Sequence, residues 1–250
     1  MCSAKPAMTS WVAAGWAAIL CAAVFAGCPS GNRQAQEARA VAAAEAEQMA
    51  EPEAPPPYKP HRLDAFFRAL MDEKWQPTVR TVDPYFEHPL YIEALAQSIE
   101  RAYAEIENRP DILVCSYHGV PKRYLLEGDP YHCQCAKTTR LLRERLGWDE
   151  TEITTTFQSR FGPEEWLKPY TVEEVARLAE EDGKKKIAVC APAFSADCIE
   201  TLEEINEEIK ESFEEAGGEE FTYIPCLNDD DAHIEALCAV IRENMRGWVD

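Results

Sequence analysis

Asp197, Glu200, Glu204 and Glu208 follow one another at spacings of three, four and four residues. On a helix of ~3.6 residues per turn such carboxylates form one slowly drifting ladder, roughly 16 Å long at ~1.5 Å rise per residue. Like charges at this spacing cost helix stability, so the row reads either as hard oxygen ligands and proton acceptors or as a solvated acidic face. His118 is the second candidate, because it directly follows an apolar run and Gly119 and Pro121 bend the chain away behind it. An imidazole there serves as a metal ligand, as a proton acceptor near neutral pH, or as a structural residue. The third is the run Phe157-Gln158-Ser159-Arg160-Phe161-Gly162-Pro163-Glu164-Glu165-Trp166-Leu167, where aromatic faces and a guanidinium lie close together. Such a surface suits a flat apolar ligand with anionic edges, and equally suits ordinary loop packing.

Each candidate stands at the end of a segment that reads as a strand. Residues 111–117 are nearly all apolar, as expected of a strand covered on both faces. Further strands are expected over 152–157, 186–190 and 221–224, and a short one over 78–82. Helices are expected over 90–107, 136–146, 172–181 and 231–245, with Leu63, Phe66, Phe67 and Leu70 at helical spacing near the start of the folded region. The acidic ladder is expected on one helix entered from the proline-bearing turn at Pro192. Alternating strands and helices predict the α/β class: an open parallel sheet flanked by helices, with right-handed crossovers. Ligands of such sheets sit at the carboxyl ends of the strands, where these residues fall.

The chain has 250 residues, of which 46% are hydrophobic, and a formal net charge of -20. Nucleic acid is excluded as a partner by that charge, which fits cationic substrates or metal ions instead. The ten cysteines follow no even framework, so reduced thiols or a metal site are expected rather than disulfides. Residues 1–28 carry Lys5, an uncharged apolar run over 11–26 and then Phe25-Ala26-Gly27-Cys28. This is the layout of a secretory signal with a lipoprotein-like cleavage site, or of a membrane anchor. Residues 29–60, rich in Ala, Glu, Gln and Pro, read as a linker, and 61–250 as the folded domain.

Several of these stretches together have a more specific look. The run from Ser116 to Tyr124, the Gly128-Asp129-Pro130-Tyr131 loop, the run from Gln158 to Trp166 and the run from Phe194 to Glu204 resemble the ferrochelatases. These are metal chelatases, classed as lyases, that insert ferrous iron into a porphyrin in haem synthesis. The resemblance extends from about Arg62 to the end of the chain and implies a chelatase-like, Rossmann-type lobe. It further implies His118 and Glu200 as the catalytic pair facing the porphyrin centre, and His118, Glu200, Glu204 and Glu208 as the residues that handle metal or protons. Phe157, Trp166, Phe194 and Asp197 are implied as porphyrin contacts, and the ladder helix as one widened by a π turn. Metallation suits these residue types. Two pyrrole protons must leave while a hydrated cation sheds water, and an imidazole and carboxylates divide those tasks in either order.

Ferrous iron is then substrate, and the porphyrin is protoporphyrin IX or coproporphyrin III. The family has two similar lobes, and its opening strand with a Leu-Gly-Thr-Pro-like turn has no counterpart among residues 1–60, so the expectation is either an incomplete or misassembled gene product or a half-enzyme that needs a partner chain supplying that lobe. Some members carry a [2Fe–2S] cluster. Cys133 and Cys135, with Cys190, Cys198 or Cys226, would have to converge for one, and solitary thiols are the default expectation. Two other readings stay open: a non-catalytic porphyrin- or metal-binding half-module, and a cobalt or nickel chelatase for another tetrapyrrole. A cytoplasmic location with membrane association is expected for haem synthesis, and export through Cys28 for the alternatives.

Overall fold

In chain order the elements are α1 (Leu63–Asp72), α2 (Pro89–Glu105), β1 (Ile112–His118), α3 (Lys122–Leu126), α4 (Tyr131–Leu146), β2 (Ile153–Gln158), α5 (Thr171–Glu180) and β3 (Lys186–Cys190). Then come α6 (Ile199–Leu202), a π-helical segment (Glu204–Ile209), α7 (Lys210–Glu215), β4 (Glu220–Tyr223) and α8 (Asp231–Asn244). This computed structural model describes residues 63–248, all within one compact unit, Lys59–Asp250. The apolar segment 11–26, Cys28 and the linker lie outside the described residues.

The sheet has the order β2-β1-β3-β4 with every neighbouring pair parallel. β1 is the apolar centre: its first six residues are buried, because helices cover both of its faces. Successive side chains of a strand point to opposite faces. Leu113, Cys115 and Tyr117 accordingly pack with Leu95, Ile99 and Leu142, from α2 and α4. Ile112 and Val114 pack with Val175, Leu178, Ile205, Ile209 and Phe213, from α5, the π segment and α7. Each such side chain contributes about 1.5–3 kcal/mol when fully buried. The strand order reverses between β1 and β3, and a crevice at such a switch point, beyond the strand ends, is where open α/β sheets bind ligands.

Three expectations are corrected. Residues 78–82 form no strand: the segment is exposed and pairs with neither edge of the sheet, β2 or β4. It is held instead by Arg80, whose guanidinium donates to the carbonyls of Asn244 and Arg246 and lies 4.8 Å from the centre of the Trp248 ring. α4 starts at Tyr131 rather than 136, because Asp129 Oδ1 accepts the Tyr131 N–H at 2.8 Å and opens the helix at the Gly-Asp-Pro-Tyr loop. The acidic helix is not one helix. Glu203 O accepts N–H bonds from both Glu207 (3.0 Å) and Glu208 (3.1 Å), so a π segment separates α6 from α7. The π turn implied by the resemblance is present. Among the described residues no helix is long and apolar enough to cross a membrane.

Candidate functional site

β1 and β2 end on the same rung, with His118 opposite Gln158. The His118 Nδ1 lies 2.7 Å from the Gly119 carbonyl, which can only accept, so Nδ1 carries the proton. In the neutral ring that leaves the Nε2 lone pair available for a proton or a metal ion. Tyr131 Oη donates to the His118 carbonyl at 2.9 Å. The Trp166 and Phe194 rings each stand 6.4 Å from the imidazole, centre to centre. Gly119 is required here: a Cβ at this position would meet Gln158 O at 2.8 Å and Trp166 Cε3 at 3.0 Å.

The four carboxylates of the ladder do not share one face. Glu200 sits in the first turn of α6. Its carboxyl is held below the usual range first by a hydrogen bond from the Cys198 thiol, then by its own backbone N–H, with the nearby His118 imidazole adding to both. Glu204 turns onto the end of β2, where it accepts the Ser159 N–H, the Ser159 hydroxyl at 2.5 Å and Gln158 Nε2 at 3.1 Å. Ser159 has a left-handed φ of 60°. Glu208 is exposed, and with Glu204, Arg160 and Tyr170 it lines a groove of about 200 Å³.

Asp197 precedes the helix and turns into the domain. Its carboxylate accepts Tyr223 Oη at 2.5 Å, Asn228 Nδ2 at 2.7 Å, Thr201 Oγ1 at 3.1 Å and the Cys226 N–H at 3.2 Å. Phe157 is also turned inward, at 2% exposure, between the rings of Tyr117 and His132. Trp166 and Phe194 are part-exposed, and the apolar side chains of Phe161 (83%) and Ile199 (63%) are exposed.

The cysteines are dispersed. Cys133 is exposed while Cys135 is buried, and the Cys190 sulfur lies 3.7 Å from that of Cys115 on the neighbouring strand. Among the described residues no three His, Cys, Asp or Glu side chains are grouped to hold a metal ion. Sequence reasoning did not single out Gln158 and Ser159, although they lie inside the aromatic run it named.

Fold and site thus define an α/β protein with an imidazole, carboxylates and aromatic rings gathered at its strand ends. The family model described as Ferrochelatase matches residues 61–245, and the chain belongs to that family. A ferrochelatase of Rhodobacter capsulatus is 70% identical over 187 residues, which are 75% of this chain and 53% of that protein. One of Allorhizobium ampelinum is 54% identical over 186 residues, 74% of this chain and 54% of that one. The chain therefore spans about half the length of the curated relatives it matches. Among solved structures it is similar to SirB from Bacillus subtilis with Fe3+, at a TM-score of 0.44 and 15% identity, covering 61% of this chain and 54% of that one.

Proposed function

We propose that this chain acts in the insertion of ferrous iron into a porphyrin in haem synthesis. The observation that carries the reading is His118: an imidazole with its Nδ1 proton engaged, its Nε2 free, two aromatic rings beside it and the ionised Glu200 nearby. In the reaction one Fe2+ replaces two pyrrole protons, so a base and a path for a cation are both needed. His118 Nε2 takes up protons or meets the ion at the porphyrin centre, and Glu200 is its partner in that exchange. Glu204 and Glu208 exchange water for oxygen ligands in steps, or carry protons outward. Trp166 and Phe194 contact the macrocycle, and Phe157 supports that surface from beneath. Asp197 serves the porphyrin site by fixing the turn that presents Phe194 and Glu200.

The substrate is protoporphyrin IX or coproporphyrin III, and the location is the cytoplasm, with membrane association through the N-terminal segment. A second reading is a porphyrin- and metal-binding half-module that works with a partner chain supplying another lobe. The test is ferrous-iron insertion by the purified full chain, followed as loss of porphyrin fluorescence, with His118→Ala beside it. Turnover that vanishes in the variant supports the enzyme reading. Porphyrin binding without turnover supports the half-module, and neither binding nor turnover overturns both.

A further inference from the structure

Gln158 is buried (4% exposed) and makes contacts that join the two halves of the site. Its main-chain carbonyl accepts the Gly119 N–H at 2.8 Å, beside His118. Its Oε1 accepts from Ser116 Oγ at 2.6 Å. Behind Ser116 stand two more buried hydroxyls, Thr171 at 2.8 Å and then Thr156 at 2.9 Å from Thr171. The Glu200 carbonyl and the Glu204 carboxylate can only accept, and so fix which way the amide faces, with the NH2 group towards the acidic helix. Both hydrogens of that group are then used: one on the Glu200 carbonyl at 2.7 Å, one on Glu204 Oε2 at 3.1 Å.

The residues it holds flank the start of the π segment. A π turn is rare and is found mostly as a single turn at functional sites, and here the turn following Glu203 closes on both Glu207 and Glu208. Nothing in the local sequence Glu203-Glu204-Ile205-Asn206-Glu207-Glu208 favours that widening over an α turn, and its like charges oppose close packing. The contact from β2 supplies what the local sequence lacks. We propose that Gln158 is a positioning residue for metal handling, clamping the widened turn to the end of β2 and so setting where Glu200 and Glu204 stand relative to His118. The kinetic part of this proposal rests on the ferrochelatase reading; the structural part does not.

Gln158→Met keeps the length of the side chain and removes both donors, while Ser116 retains Thr171 as a partner. Three measurements on the full chain decide the matter: amide hydrogen exchange over residues 200–210, the visible spectrum and affinity of Co2+ added alone, and KM for Fe2+ against kcat. In the variant, exchange over 200–210 speeds up while β1 and β3 keep their protection. The Co2+ affinity falls about tenfold with a changed d–d band, the scale seen when outer partners of metal ligands are removed. KM for Fe2+ rises while KM for porphyrin holds. Ser159→Ala, which removes one donor to Glu204 and leaves the Glu200 carbonyl bonded, gives a smaller change in the same direction. Should Gln158→Met fold poorly, Gln158→Glu, which sets a carboxylate against Glu204, reads the same exchange. Unchanged exchange over 200–210 in the folded variant overturns the clamp. Absence of Co2+ binding and turnover in the unaltered chain overturns the ferrochelatase reading instead, and exchange still decides the clamp.

Discussion

Tyr131 Oη donates to the main-chain carbonyl of His118 at 2.9 Å, tying the first residue of α4 to the last residue of β1. The imidazole is thus oriented by a helix that begins at the Gly-Asp-Pro-Tyr loop as well as by its own strand. Tyr131→Phe keeps the ring and removes the donor. We expect a loss of about 1 kcal/mol in stability, typical of one hydrogen bond, and a fall in kcat smaller than that of removing the imidazole. Denaturant unfolding and turnover, measured on the same preparation, check it.

His118→Ala and Glu200→Gln should each lower iron insertion by at least ~10²-fold, the lower end of what a positioned acid or base supplies. Both side chains stand at a strand-end site rather than in the core, so thermal melting should change little. Near-normal turnover in either folded variant removes the proposed mechanism.

Gly119→Ala probes the close approach behind that imidazole. The new methyl would lie 2.8 Å from Gln158 O and 3.0 Å from the Trp166 ring, and backbone cannot give way as a side-chain tip can. Overpacking of this kind costs about 1–3 kcal/mol. A lowered melting temperature with a shifted Trp fluorescence spectrum is the expected signature, and a variant as stable as the parent would show that the two strand ends can part freely.

The sheet and the place of the site were legible in the sequence because β1 is a run of apolar residues ending at a histidine, and that information is local. Residues 78–82 show the limit of the same reasoning. Alternating β-branched residues become a strand only when the chain brings them alongside a sheet edge, and that depends on the rest of the fold. The ladder shows a second limit. Spacing alone puts Asp197 in line with Glu200, but Tyr223 and Asn228, respectively at the end of and beyond a strand formed later in the chain, draw it inward. Similarly, the bonds from Gln158 and Ser159 to Glu204 join residues about forty-five positions apart. No local pattern announces them.

That redistribution makes the remaining carboxylates unequal. Glu204 is held by three donors on β2 and the loop after it, whereas Glu208 is exposed on the groove wall. Glu204→Gln should therefore disturb both metal handling and the turn, while Glu208→Gln should affect insertion more weakly than Glu200→Gln. Comparing KM for Fe2+ across the three variants tests the order. Equal effects at Glu200 and Glu208 would mean that the carboxylates act as one unit.

Asp197 contributes to the acid response of the domain. Burial opposes its ionisation, but hydrogen bonds from Asn228, Tyr223 and Cys226 outweigh burial and leave the carboxyl below its ordinary range. Tyr223 meanwhile is pushed upward, by burial and then by Asp197 itself, so its hydroxyl stays a donor. A carboxyl whose folded pKa lies below the unfolded value of about 3.9 adds stability that is fully present above that value and is lost as pH falls through the folded pKa. Asp197→Asn should accordingly cost about 1.5–3 kcal/mol at pH 7, the range for hydrogen bonds to a charged group. That cost should begin to shrink below about pH 4, where the unfolded chain takes up the proton, and go on shrinking until the native carboxyl is protonated at its lower folded pKa. Urea unfolding of parent and variant at neutral and acid pH measures it directly. A difference that stays constant with pH would assign the stabilisation to packing of the turn, and would separate the fixing of Phe194 and Glu200 from the charge that Asp197 carries.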